Sequence, residues 1–600
     1  MDKTYIYNKV KTTARRAGLV LLAPLFLTSC LDTIILPDDK TVDEDFWQTK
    51  ADVASMVNAA YAAMTSDDVF GRLIVWGSFR SDEVTLGESG KNSGVGPALA
   101  EIATVNMQTT NTFAAWSSIY TVINRCNMVL DRAQAVMAVD PSYTQGDYET
   151  DRSQMLALRA LCYFYLVRNF RDVPYVTEAY MNNSQNMQLF QSSPAEVLEH
   201  CIADLEEAAR TPIAARGFSV NEWQRVGWMT NDAINALLAD IYLWRASVTH
   251  SAADYQRSID YCDLVIASKK SQHVRGRNEV EEKEFPLASA GEAYTQLFID
   301  QNAEESIFEL QSRGSTAICQ YLFKYGSNSS AEGFLKASPM FGSYASKVVN
   351  LNVASQVFSD NDLRFYASCY DVKGGGENNL DIRKMIGASG VTTKTAQARA
   401  SDNNIAYGAL NRNFIVYRLT DVMLMKAEAL VQQVDTTETD SIQKIKLHDA
   451  YRLVAAVNTR SLHSENLADS MTWEAPCNYK DYDKDKMEQL VLQERLRELC
   501  FEGKRWYDLM RYSYRHVDYD AKKYSEMLYD LNEQNALGQI YADMKTLMVR
   551  GSGADGSAVA AKMRNEAYLY MPVPNSDIIV CPLLRQNPAY KNTNDYEKSY

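Results

Sequence analysis

The sequence predicts a mostly α-helical protein: helices set side by side in pairs, irregular loop insertions between them, and little β structure. Three observations predict it. Apolar residues recur at three- and four-residue steps through a series of long stretches, among them Phe113–Val136, Ser153–Arg171, Asp232–Arg245 and Leu490–Arg511. Several of these stretches are followed at once by a second of the same kind, as an antiparallel pair requires. From Ser268 to Arg412 the helical period fades into Gly, Ser, Asn and aromatic residues with only short β-like runs such as Ile307–Leu310.

The chain opens on a targeting segment. Lys3, Lys9, Lys11, Arg15 and Arg16 precede an apolar run of 11 residues, Ala17–Leu27. Such a run falls short of the roughly 20 residues that span a bilayer core and suits a signal peptide. Leu27-Thr28-Ser29-Cys30 then looks like a bacterial lipobox. Cleavage before Cys30 would leave its thiol acylated, an anchor that needs no transmembrane helix. Removing residues 1–29 takes away five basic residues and one acid, so the net charge falls from −15 to −19. An acidic chain without a basic cluster argues against nucleic acid and against electrostatic docking on anionic lipid.

Residues 30–40 read as a tether, broken by Pro37, Asp38 and Asp39. No long linker divides the remainder, so 41–600 reads as one large body. Its helical scaffold occupies 41–268 and 413–512, a variable insertion 269–412, and a C-terminal segment 513–600. Thr41 or Asp43 is positioned to cap a first helix running from Phe46 past Val57 to Tyr61. Trp76–Glu83 reads as a strand or turn entering a loop over the Gly- and Ser-rich Gly87–Gly96. The Ser153–Arg171 helix must stop before Pro174, because the residue ahead of a proline avoids helical geometry, and Pro194–Ala209 supplies its partner. In Asp232–Arg245 and Tyr255–Ala267, small residues such as Ala236 and Ala239 allow close approach, and the pair is similar to a tetratricopeptide unit; such pairs stack because none buries its apolar face alone. Asn413–Gln432 is apolar on more than one face, which predicts an inner helix whose Asp421 and Glu428 need partners, with His448–Thr459 beside it. Arg418 is one candidate partner.

Leu490–Arg511 mixes its apolar stripe with Glu494, Arg495, Arg497, Glu498, Glu502, Lys504, Arg505 and Asp508. By charge pattern alone this is a solvated amphipathic helix with pairs at i and i+4, interrupted at Gly503 by a bend or cap. Its residue order, ER-x-x-EL-x-FEG-x-R-x-x-DL-x-R, resembles the C-terminal signature of the SusD/RagB family of outer-membrane nutrient-binding lipoproteins. Further blocks carry the same resemblance: DEDFW, ADV and AAY near the start, LRALCYFYLVRNFRDVP at Leu158–Pro174, RLTDVMLMKAEALVQ from Arg418, VNTR at Val457–Arg460 and YLYMPVPNSDIIVCPLLRQNPAY at Tyr568–Tyr590. There Asp577 stands for the family's acid and Cys581 for an Asn. By family analogy Arg495 is a second candidate partner for the buried acids.

Catalytic constellations are missing from the sequence. It has no H-E-x-x-H, G-x-S-x-G or G-x-x-x-x-G-K-[ST], and the six histidines show no ligand spacing, so no metal site is expected. Paired carboxylates of a glycosidase stay open among 76 acids. The nine cysteines beyond Cys30 form no framework, and a buried free thiol is the expectation for Cys126, Cys162, Cys201, Cys262 and Cys500. A sugar offers an apolar C–H face and a rim of hydroxyls, which flat aromatic rings and Asn, Asp or Arg match. Trp76, Arg80 and Asp82 put those types in one short segment; Tyr321, Phe323, Tyr325, Phe341 and Tyr344, then Tyr366 and Tyr370, supply aromatics on the insertion. These are the candidate ligand contacts.

The resemblance implies a surface lipoprotein with tetratricopeptide-like pairs (SusD-like) carrying irregular loops. It would act without a cofactor, although a structural calcium ion stays open, as the lid of a SusC-like TonB-dependent transporter to which it delivers oligosaccharides. Capture of peptides, or glycan hydrolysis by a lipid-anchored enzyme, are the alternatives.

Overall fold

The computed structural model describes residues 46–181, 185–210, 222–273, 284–288, 290–312, 314–322, 333–341, 357–358, 362–370, 380–382, 384–385, 411–461, 482–517, 522–527, 559, 561–563 and 565–590. The chain divides into two compact units, Met1–Gln48 and Thr49–Tyr600. Of the first, only Phe46–Gln48 is described, so the signal segment, Cys30 and the tether lie outside the described residues.

The second unit is mostly helical. Helix α1 (Lys50–Met64) is capped by Thr49 rather than by Thr41 or Asp43: the Thr49 hydroxyl accepts from Asp52 N while the Asp52 carboxylate accepts from Thr49 N. After α2 (Asp67–Ile74) come α3 (Ser117–Val139) and α4 (Gln145–Phe170). Helix α4 begins a full two turns before the expected Ser153, because a second capping box, Thr144 with Asp147, starts it there. It ends as predicted ahead of Pro174, at Arg171 with φ of 66°, and from Ser153 onward it is buried on every side. Helix α5 (Pro194–Ala209) is capped by Ser193. Helices α6 (Asn231–Thr249) and α7 (Ala252–Gln272) turn at His250, in the left-handed region, and Ser251, which caps α7. Then follow α8 (Leu419–Gln432), α9 (Asp440–Arg460), α10 (Lys484–Leu499) and α11 (Arg505–Arg515).

Each helix packs on the next. From α1 the stack runs to α3, α4, α5, α6, α7 and α8, and α8 packs on both α9 and α10. This is the paired, stacked arrangement expected of helical repeats. The last part of the stack shares one apolar cluster, in which Met423, Leu424 and Ala427 of α8 meet Leu453 and Val457 of α9 and Met487 and Val491 of α10.

Three small antiparallel ribbons complete the described unit. Strand β1 (Val84–Leu86) pairs with β3 (Leu335–Ala337), β2 (Ser306–Leu310) with β6 (Phe414–Arg418), and β4 (Cys369–Tyr370) with β5 (Asp381–Ile382). The β-like reading of Ile307–Leu310 therefore holds, whereas Phe414–Arg418 is strand and not the start of a helix. Phe414-Ile415-Val416-Tyr417 is rich in β-branched and aromatic residues and buried on both faces, a run that periodicity cannot tell from an inner helix. Trp76–Glu83 is not a strand either. Val75–Phe79 continues α2 as a widened helical turn, and Gly87–Gly96 contains a short helix, Glu88–Lys91, rather than an irregular loop throughout.

The largest departure from expectation concerns Leu490–Arg511. It is two helices, α10 and α11, broken at Cys500–Lys504, and its charges are buried instead of solvated. On one side Arg418 bonds Glu502 through two nitrogens at 2.8 Å and Glu498 at 2.6 Å. Arg364 reaches Glu494 at 2.7 Å and Glu498 at 3.0 Å. On the other side Arg495 and Lys504 hold Asp421 at 3.0 and 2.9 Å. Arg511 forks onto Glu428 with both bonds at 2.8 Å, and Arg515 reaches the same carboxylate at 2.6 Å. Arg495 is thus a partner of Asp421, as the family analogy implied, while Arg418 serves other acids.

Gly503 explains the break. Its φ is 73°, and a side chain on the facing Gly77 would fall 2.0 Å from Gly503 O. Two backbones touch there, which glycine alone permits. The contact joins the widened turn after α2 to the α10–α11 junction, and Asp82 with Arg505, at 2.9 and 3.0 Å, lies in the same region.

Candidate ligand clefts

The residues singled out from sequence separate by burial. Trp76 is fully enclosed: its indole N–H donates to Phe113 O at 2.9 Å and its ring meets Phe170 edge-on at 5.6 Å. Asp82 is equally enclosed and its two carboxylate oxygens are taken by Arg505. Phe341 packs between Phe358 and Phe501. The Tyr321 ring lies over Gly71, edge-on to Phe113 and Phe334. As ligand contacts these four are corrected: rings and charges already covered by the core have no face left for a sugar. Phe323, Tyr325 and Tyr344 lie outside the described residues, as do the side chains of Tyr366 and Tyr370.

Arg80 differs. It lines a narrow cleft that opens to solvent. The widened turn after α2 supplies Phe79 and Arg80, the helix Gly96–Ala103 supplies Ile102, the first turn of α11 supplies Trp506, and the turn Glu566–Leu569 supplies Tyr568. The Arg80 guanidinium sits 4.3 Å above the Trp506 ring and donates through Nη2 to Leu569 O at 2.5 Å. Burial lowers its pKa to about 10, against the opposing pull of Tyr590, Tyr507 and Tyr570; it remains a cation at neutral pH. Sequence reasoning chose Arg80 for its type, but Trp506 and Tyr568 were hidden inside family motifs.

A second, shallow hollow, open to solvent, lies between α1 and β2. Trp223 and Trp228 form its aromatic wall, their rings edge-on with centroids 6.2 Å apart, and Asn58, Thr65 and Gln311 bring polar groups. Trp223 is 37% exposed, unusual for so large an apolar ring. Gly227 makes the arrangement possible, since a Cβ there would stand 2.5 Å from the Trp223 ring. The sequence signal was two tryptophans flanking a glycine in a stretch without helical period, and it was overlooked.

Among the described residues no group of three His, Cys, Asp or Glu side chains could hold a metal ion, and no helix is long and apolar enough to cross a membrane. The described cysteines, including Cys126, Cys162, Cys201, Cys262 and Cys500, are free and buried.

The chain was compared with known proteins. Residues 342–590 match the SusD family, and residues 35–243 match a family described as starch-binding and associating with the outer membrane. The chain belongs to the SusD/RagB family. Among SusD-like relatives, protein P38 of Formosa agariphila is 25% identical over 518 residues, covering 82% of this chain and 90% of its own length. Protein P2 of the same organism is 23% identical over 515 residues, covering 82% and 89%. Two SusD-like folds in solved structures are similar: a SusD superfamily protein of Bacteroides thetaiotaomicron, at a TM-score of 0.59 and 20% identity over 91% of this chain and 99% of that one, and NanU of B. fragilis, at 0.61 and 17% over 93% and 100%. The two family matches leave residues 244–341 between them uncovered, and that stretch holds β2, β3 and Gln311 of the second hollow.

Proposed function

We propose that this SusD-like protein is a lipid-anchored, glycan-binding protein of the cell surface, which captures oligosaccharides and delivers them to a SusC-like TonB-dependent transporter that it covers as a lid. The observation that carries the binding role is the Trp223 hollow. A partly exposed indole offers a flat apolar face, and the exposed Asn58 amide offers a donor and an acceptor for ring hydroxyls. The description of the family matched by residues 35–243 supports the same reading.

A binding role without bond cleavage is supported by the state of the acids. Those of the α10–α11 region are held ionised by arginine and lysine: against the effect of burial, Lys504 and Arg495 keep Asp421 at about 2, and Arg511 and Arg515 keep Glu428 well below the usual range. The one strongly raised carboxyl there, Glu83, is fully enclosed and cannot reach a substrate.

Isothermal titration against a panel of neutral oligosaccharides and of peptides tests the reading. Trp223→Ala is expected to weaken the bound oligosaccharide by about tenfold or more, as loss of a stacking anchor does, with the thermal midpoint nearly unchanged. Binding confined to the peptide panel, or release of reducing sugar by the purified protein, would overturn it.

A further inference from the structure

We infer that the Arg80 cleft receives the carboxylate of an acidic sugar. The reasons are geometric. Arg80 is 9% exposed and Trp506 2%, yet Arg80 Nη1 and Trp506 Nε1 have no hydrogen-bond partner. Buried donors left unpaired are uncommon and costly. Here two of them line the same cleft, from side chains stacked on each other.

The charge of Arg80 is also unanswered. The other buried arginines around α10 and α11 each face a carboxylate, as Arg495, Arg505 and Arg511 do. The charged forms acting on Arg80 are those of tyrosines, and the described lining contains no Asp or Glu. A second cation lies beside the lining residues Tyr568 and Val105: Lys562 Nζ is 5.9 Å from the Tyr568 ring centroid and donates to Val105 O at 2.8 Å and to Asn106 Oδ1 at 3.0 Å. The walls between, including Ile102, Met107 and Met563, are apolar, so a charge entering the cleft is poorly screened by water.

A carboxylate meets these demands. One oxygen accepts from Arg80 Nη1 and the other from the Trp506 indole N–H, giving the buried cation its counter-ion. Tyr568, half-buried at the mouth, offers a flat face to the pyranose that bears the acid. Aromatic walls on a cleft this narrow favour a sugar ring over a flexible peptide end. The inference rests on the capture reading only in taking a sugar as the bearer; the site is separate from the Trp223 hollow.

The test uses the full-length protein in detergent and five probes: a galacturonic acid trisaccharide, its methyl ester, the neutral galactose trisaccharide, a sulfated galactoside and an acetylated tripeptide with a free carboxylate. The acid form is expected to bind at least about tenfold more tightly than its ester, as a charge-assisted bond to a buried donor requires. Arg80→Gln should erase that preference. Trp506→Phe, which keeps the ring and removes only the N–H, should reduce it several-fold. Equal affinity for acid and ester on the unaltered protein overturns the inference without needing a variant to fold. So does failure of the acid to bind, an acid preference that survives in folded Arg80→Gln, or tighter binding of the sulfated or peptide probe. Loss of neutral-glycan binding in Trp223→Ala bears on the capture reading alone.

Discussion

Glu83 shows how far a single side chain can depart from its solution chemistry. Burial drives its pKa up to about 8, helped by Asp82 and opposed by bonds from Ser78 and from Phe501 N, the latter at 3.0 Å. Between the ordinary value of 4.5 and about 8, the folded protein keeps a proton that the unfolded chain has released. Stability contributed by this group is therefore full below pH 4.5 and declines as pH rises through 8. Glu83→Gln, permanently neutral, is expected to gain in thermal midpoint relative to the parent as pH is raised from 5 to 8. A midpoint difference that stays constant across that range would count against a protonated Glu83. The charges of Leu490–Arg511 were legible in kind but not in place. Spacing alone could not say that α10 is enclosed, and mixed charge on a helix ordinarily means water. One hint was chemical: positions 495, 497, 505, 511 and 515 are arginine, the residue that answers buried carboxylates through two nitrogens. Tyr61, Tyr163, Tyr417 and Tyr514 are core rings whose hydroxyls bond inside the protein.

At the scale of elements, periodicity served well where one face of a helix is apolar. Helices α5 and α7 were readable for that reason, and the structure caps them with Ser193 and Ser251. It failed at β6, where both faces are buried and the alternation that marks a strand disappears. It also missed the widened turn of Val75–Phe79, because that turn is shaped by a contact from far along the chain. Gly77→Ala measures the contact directly. The added methyl would meet the backbone of Gly503, and neither chain segment can withdraw without disturbing Asp82–Arg505. A loss of about 3 kcal/mol or more in chemical denaturation is expected, the upper range for overpacking; a loss below about 1 kcal/mol would show that the two backbones are free to separate.

For the whole molecule, the mode of attachment is the quantity to measure. Cys30→Ser removes the thiol that the lipid reading requires, and a single lost anchor is enough to free a protein whose described residues include no membrane-spanning helix. The variant is expected to leave the outer-membrane fraction and gather in the soluble fractions, with its fold intact by circular dichroism. Retention in the membrane at parental levels would show that something other than acylated Cys30 holds it.

Asp82 and Arg505 stand 423 positions apart in the chain, and the closure they belong to has a consequence for biogenesis. A ribosome that has made α1 to α7 has produced helices able to pair with one another, but the acids and arginines of the seam still lack their opposite numbers. Left uncompensated, such charges resist dehydration, so Asp82 stays hydrated until Arg505, about five-sixths of the way along the chain, has been made. Late locking of this kind defers the rigid form to the end of synthesis.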